Sequence, residues 1–165
     1  MPRKALLDIE DPDENFAAVG LAFDGLDELL GYQLRRAQGA MHRHYMVSVA
    51  ELDLTQKQTA TLWLIHTNSG VSQVALATTL GMDRATMMSV VDRLEERVLV
   101  IRKRSVTDRR RQELYPTPAG RSLLGKVRAR IALHEERFKS LFTRPELEAL
   151  LTALRKFQDV TCPPS

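Results

Sequence analysis

Cysteine is almost missing from this 165-residue chain. The one thiol, Cys162, stands in the closing "TCPPS", which excludes an intramolecular disulfide, fits a reducing cytoplasm and offers no activated setting for a thiol sensor. Long apolar runs are missing too: no stretch of about 18 residues could span a bilayer. The opening "MPRKALLDIEDPDENF" lacks the apolar core of a secretory signal. There is no glycine-rich phosphate loop, no nucleophile elbow and no pair of carboxylates beside a base, so an enzyme is not expected. Histidine, cysteine and carboxylates do not recur at ligand spacing. His42 and His44 come nearest, but two residues apart on a helix they point about 160° away from each other, so neither metal nor other cofactor is expected.

What remains is an ordinary globular composition, 44% hydrophobic and 27% charged, long enough for one compact core. Net charge is only +3, but the charges are segregated. Eight acids and no Lys or Arg lie between Asp8 and Glu28, whereas Arg97 to Arg111 holds seven basic residues and one acid. Such a split fits one end built for a polyanion and another that avoids it.

Punctuation gives that basic segment a scaffold. Thr55 followed by Gln58 is a capping box opening a helix with Ala60, Leu62, Trp63 and Ile65 on its apolar side. Ser72 caps a second helix that closes on Gly81. Asp83 caps a third, in which Met87, Val90, Val91 and Leu94 form one buried stripe. Two short helices around a tight glycine turn predict a helix-turn-helix. The run "LVIRKRSVTDRRRQELY" then supplies a hairpin of almost pure charge, and Thr117-Pro118 opens the next helix. The pattern is a winged helix-turn-helix: a mainly α fold with a small β wing. Its second helix would enter a major groove of duplex DNA while Arg104, Arg109, Arg110 and Arg111 on the wing meet phosphates or an adjacent minor groove.

Leu54 to Leu124 resembles the MarR family of bacterial transcriptional regulators. The most specific part is the Asp-Arg-Arg of the wing (Asp108 to Arg110), followed by threonine-x-x-glycine (Thr117 to Gly120). The resemblance implies a homodimer whose first and last helices form a dimerisation region. It further implies a pseudo-palindromic operator, bound by a repressor that a small molecule releases. By position, Ser72 and Gln73 would start the helix abutting the DNA backbone, and Arg84, Ala85, Thr86, Met88, Ser89 and Arg93 would face the groove. Arg109 and Arg110 match wing-tip arginines, and Asp108 the acid that orients one of them. Met88 and Ser89 depart from the family's small hydroxyl residue and arginine. Val98 stands where the family places glycine, and since a β-branched residue is strained at positive φ, a different helix end and a shifted wing are expected.

The chain is thus divided into residues 1–50 (tail and long helix, dimerisation), 51–118 (winged helix-turn-helix) and 119–165 (C-terminal helices, dimerisation), intertwined as one domain. The first long helix is expected to start between Phe16 and Leu26, and a capping box of Thr143 and Glu146 to start the last. The terminal helices carry more apolar surface than this core can cover, and a twofold dimer would bury the surplus. In the family, effectors bind where the first long helix, the Trp63 helix and the helix after the wing converge. That junction would gather Arg35, Arg36, His42, His44, Tyr45, Trp63 and His66, which suit a planar aromatic carboxylate or, as in similar members, its coenzyme A thioester. The alternative is a constitutive or architectural DNA-binding protein that senses nothing, at work on the nucleoid in either case.

Overall fold

A computed structural model describes residues 21–105 and 112–158. Six helices and one antiparallel hairpin follow in order: α1 (Leu30–Val49), α2 (Gln56–Thr67), α3 (Gln73–Thr79), α4 (Arg84–Glu96), β1 (Val100–Arg104), β2 (Gln112–Pro116), α5 (Pro118–Lys139) and α6 (Arg144–Gln158). The mainly helical class with a β wing is therefore observed. The chain divides into two compact units, residues 1–38 and 39–165.

In the first unit the chain turns through left-handed Asp24 (φ 48°) and Gly25 (φ 84°) into a single 3-10 turn at Leu26–Glu28. The long helix consequently starts at Leu30, later than the apolar spacing predicts. Gln33 Nε2 donates to the Asp27 carbonyl at 2.5 Å, tying the turn to the helix.

The second unit holds the core. Leu62 and Ile65 of α2, Leu76 of α3, Met87, Val91 and Leu94 of α4, Val100, Leu114, Leu124 and Val127 are almost fully buried. Each such side chain contributes about 1.5–3 kcal/mol. The predicted caps are in place. At α2 the box is complete: Gln58 N–H donates to Thr55 Oγ1 (3.2 Å) and Thr55 N–H to Gln58 Oε1 (2.9 Å). Ser72, Asp83 and Thr117 each accept from a backbone N–H three residues on. At α6 only half of the expected box forms, because the Thr143 hydroxyl and N–H both donate to Glu146 Oε2.

Val98 overturns the expectation drawn from it. Its φ is +54°, so the left-handed position is kept and not avoided. Val98 N–H donates to the Glu95 carbonyl (2.8 Å) and Leu99 N–H to that of Leu94 (2.9 Å), a full Schellman closure. Leu94 and Leu99 are both buried, so core packing holds a conformation that valine disfavours.

Candidate nucleic-acid interface

The helix-turn-helix is clamped from two sides. The α3–α4 turn closes by the same Schellman pattern with glycine in the left-handed place: Gly81 (φ 60°) donates to Thr78 and Met82 to Ala77. Ahead of α3, Gly70 N–H donates to the Leu114 carbonyl and Leu114 N–H to that of Val71, so β2 is tied directly to the chain entering the motif. Hairpin register pairs Val100 with Pro116 and Arg104 with Gln112. Pro116 sits at the strand end, where no ladder donor is needed.

The start of α5 completes the clamp and explains threonine-x-x-glycine. Thr117 Oγ1 donates toward the Val98 carbonyl (2.7 Å) and accepts from Gly120 N–H (2.9 Å), while Thr117 N–H donates to the Leu99 carbonyl (3.0 Å). A Cβ on Gly120 would lie 2.1 Å from the Leu99 oxygen, so only glycine admits this approach. One threonine and one glycine thereby fix α5 against the junction of α4 and the wing.

On α4 the buried stripe leaves Arg84, Ala85, Met88, Ser89 and Arg93 exposed and Thr86 half-buried. Arg84, Arg93 and Arg104 have no carboxylate partner among the described residues, so their charge is available to an external anion. Thr86 is partly committed: its N–H and hydroxyl donate to the two Asp83 oxygens at 2.8 and 2.6 Å, which holds the Asp83 carboxyl below its ordinary value. Ser72 and Gln73 are half-buried, with the Ser72 hydroxyl spent on capping. Thr86, Ser89, Val90 and Arg93 line an open groove of about 320 Å³ with Thr55, Lys57 and Gln58 from the first turn of α2. Lys57 was not foreseen at this surface; only the packing of α2 on α4 places it there. The wing tip, with Asp108, Arg109, Arg110 and Arg111, lies outside the described residues.

The wing is not uniformly available to DNA. Arg102 turns back onto α4, pairing with Glu95 and with Asp92 (2.5 Å), its side chain only 19% exposed. Lys103 lies over the Tyr115 ring (5.1 Å) and across the ladder from Glu113. Neighbouring cations in the sequence thus divide between fastening the hairpin and facing outward.

The predicted effector residues fall into separate groups. Arg35 and Arg36 are exposed on α1, with Arg36 over the Tyr32 ring (5.8 Å). His42 Nδ1 meets Gln56 Oε1 at 3.0 Å, which places a proton on Nδ1. His44 Nδ1 meets His134 Nδ1 of α5 at 2.7 Å, with the rings stacked. The Ser48 hydroxyl donates to the His44 carbonyl (2.8 Å), and its Oγ lies 3.3 Å from His44 Nδ1. A proton on one of the two Nδ1 atoms makes the His44–His134 contact a hydrogen bond. Burial, followed by the neighbouring His44 charge, pushes the His134 imidazole below its ordinary value, against an opposing pull from Glu135. Tyr45 is buried beside the pair and donates to Thr59 Oγ1 (2.7 Å); burial raises its phenol. Trp63 carries the Arg128 guanidinium 4.2 Å above its ring. Arg128 Nε and His66 Nδ1 are buried with no hydrogen-bond partner. His134 and Arg128 escaped the sequence reading because nothing in α5 marks which turn faces α1 and which faces α2. Among the described residues no cluster of three or more His, Cys, Asp or Glu could hold a metal ion, and no helix is long and apolar enough to cross a membrane.

The MarR family pattern matches residues 54–111. A protein named for transcriptional regulation of the hcr operon in Thauera aromatica is 33% identical over 128 residues, 77% of this chain and 77% of that one. Among solved structures, the transcriptional repressor CouR bound to a 23-mer DNA duplex is 38% identical with a TM-score of 0.80, over 84% of this chain and 98% of its own. CouR bound to p-coumaroyl-CoA is 36% identical with a TM-score of 0.79, over 86% of this chain and 99% of its own.

Proposed function

Because this chain belongs to the MarR family of DNA-binding transcriptional regulators, we propose that it is a homodimeric repressor released from a pseudo-palindromic operator by an aromatic carboxylate or its coenzyme A thioester. It works on the nucleoid in the cytoplasm and turns over no substrate. The observation that carries this reading is α4 itself: a helix clamped on its buried side, presenting Arg84, Ser89 and Arg93 outward, with neither arginine in a salt bridge among the described residues and with neighbouring Asp92 taken up by Arg102. In this assignment α4 reads bases in the major groove, and Ser72 and Gln73 start the helix against the backbone. Arg104, Arg109, Arg110 and Arg111 meet phosphate or the minor groove. Residues 1–50 and 119–165 supply the dimerisation region around the 51–118 DNA-binding part.

The effector reading draws on CouR, which has been seen with p-coumaroyl-CoA. His42, His44, Tyr45, Trp63 and His66 are assigned to it, with Arg128 added, because its unpaired buried Nε and aromatic stacking suit an anionic group on a planar ligand.

Fluorescence anisotropy on duplexes selected from a random pool tests both halves. Between 50 and 200 mM salt, log affinity should fall steeply, and Arg84→Ala or Arg93→Ala should lower the slope by about one for each phosphate left unneutralised. A flat salt response overturns DNA binding. Titration with p-coumaroyl-CoA, p-coumarate and benzoates should release the duplex; release by none of them leaves a constitutive regulator.

A further inference from the structure

We infer that Met88, supported by Ala85, reads a thymine methyl group in each operator half-site. The inference rests on α4 being the helix that enters the groove.

The apolar residues of α4 form two sets. Met87, Val90, Val91 and Leu94 are buried in the core, whereas Met88 is 53% exposed and Ala85 is exposed as well. At about 100° per residue, positions 85 and 88 lie within about 60° of each other, on the side opposite the core stripe. Asp92, one turn further along that side, is taken up by Arg102, so the acid does not define this surface. Both apolar residues fall in the N-terminal half of the helix, the half that meets base edges when such a helix docks.

Base edges in the major groove are donors and acceptors with one apolar exception, the C5-methyl of thymine. A thioether has no hydrogen to donate and accepts only weakly, so Met88 gains there chiefly by removing apolar surface from water. Its unbranched side chain reaches beyond the Cβ shell and adapts to a methyl group, and Ala85 adds a shorter apolar surface alongside. A guanine or cytosine edge at that place would leave its polar groups facing sulfur and methylene. Each half-site is therefore expected to carry a T·A pair opposite Met88, with the thymine methyl as the recognised group.

The full-length protein is first used to select duplexes from a random pool, and the consensus thymines are then replaced one at a time by deoxyuridine, which removes only the methyl. At one symmetric position the loss should be about fourfold per half-site, the equilibrium equivalent of burying one methyl group. The Met88→Ser and Met88→Ala variants should bind the thymine and deoxyuridine duplexes equally, while keeping the salt slope of the parent. If no deoxyuridine substitution weakens the parent protein, or if the variants lose as much as the parent does, the inference is overturned. If the pool yields no consensus and binding is indifferent to salt, the DNA reading itself has failed, a result distinct from loss of the methyl effect alone.

Discussion

Val98 and Gly120 meet at one junction and stand in opposite relations to their backbone. At Val98 a β-branched side chain occupies a left-handed position that costs about 1–2 kcal/mol for an L-residue. The Schellman bonds and the buried Leu94 and Leu99 hold it there. Because the side chain is 63% exposed, little packing is lost on removing it. Val98→Gly or Val98→Asn should accordingly stabilise the fold by up to about 1 kcal/mol, the glycine variant offset in part by its freer unfolded chain. Thermal unfolding should rise by about 2–4 °C. Gly120 is the reverse case. Its backbone is unstrained, but a Cβ would meet the Leu99 carbonyl oxygen at 2.1 Å. Gly120→Ala should destabilise by about 3 kcal/mol, visible in denaturant melts as a lower midpoint with an unchanged slope.

Between elements, the joint of β1 with α4 decides how the wing is held. Arg102 neutralises Asp92 and Glu95, two acids that otherwise stand beside the proposed DNA surface. Arg102→Met should lower duplex affinity roughly tenfold by exposing those carboxylates to phosphate repulsion. The salt slope should change far less than in Arg84→Ala, and Asp92→Asn should restore part of the loss. The joint of α1 with α5 carries a titration. His134 is buried and stacked against His44, so the fold favours its neutral form. Folding stability from His134 is then fully present above the ordinary imidazole value of about 6.5 and is lost as pH falls through the lowered folded value. Melting temperature measured from pH 8 to pH 5 should drop below about pH 6.5, and His134→Gln should flatten that drop. A parallel fall in both proteins would assign it to other groups.

At the scale of the molecule, part of the apolar surface left uncovered lies on the C-terminal helices, where a partner copy is proposed. Leu133 is exposed in the C-terminal half of α5 and Leu141 just beyond that helix, as are Leu150, Leu151, Leu154 and Phe157 along α6. One face of α6 carries these leucines while the other is charged, the pattern of a helix made to be covered. Leu150→Glu combined with Leu154→Glu should give a monomer in sedimentation at micromolar concentration. Affinity for a two-half-site duplex should fall by about a hundredfold, because the second half-site is no longer delivered at high effective concentration. Retention of a dimer by that variant would move the interface elsewhere.

By itself the sequence determined the local grammar. Thr55–Gln58, Ser72, Asp83 and Thr117-Pro118 placed the caps, and the Met87–Leu94 stripe placed the core face of α4, because capping and helical periodicity act over three or four residues. The same locality made the helix-turn-helix and its hairpin legible in advance. The tertiary structure alone decided which charges remain for DNA, since Arg102 and Arg104 are near-neighbour cations of one strand whose fates depend on the helix beside it. It also decided that His44 partners His134 ninety residues away and that Arg128 lies over Trp63. Val98 shows the boundary most directly: local preference forbids its conformation, and long-range packing around Leu94 and Leu99 imposes it. Interactions between residues distant in sequence leave no periodic trace, and their energies exceed the local preferences they override.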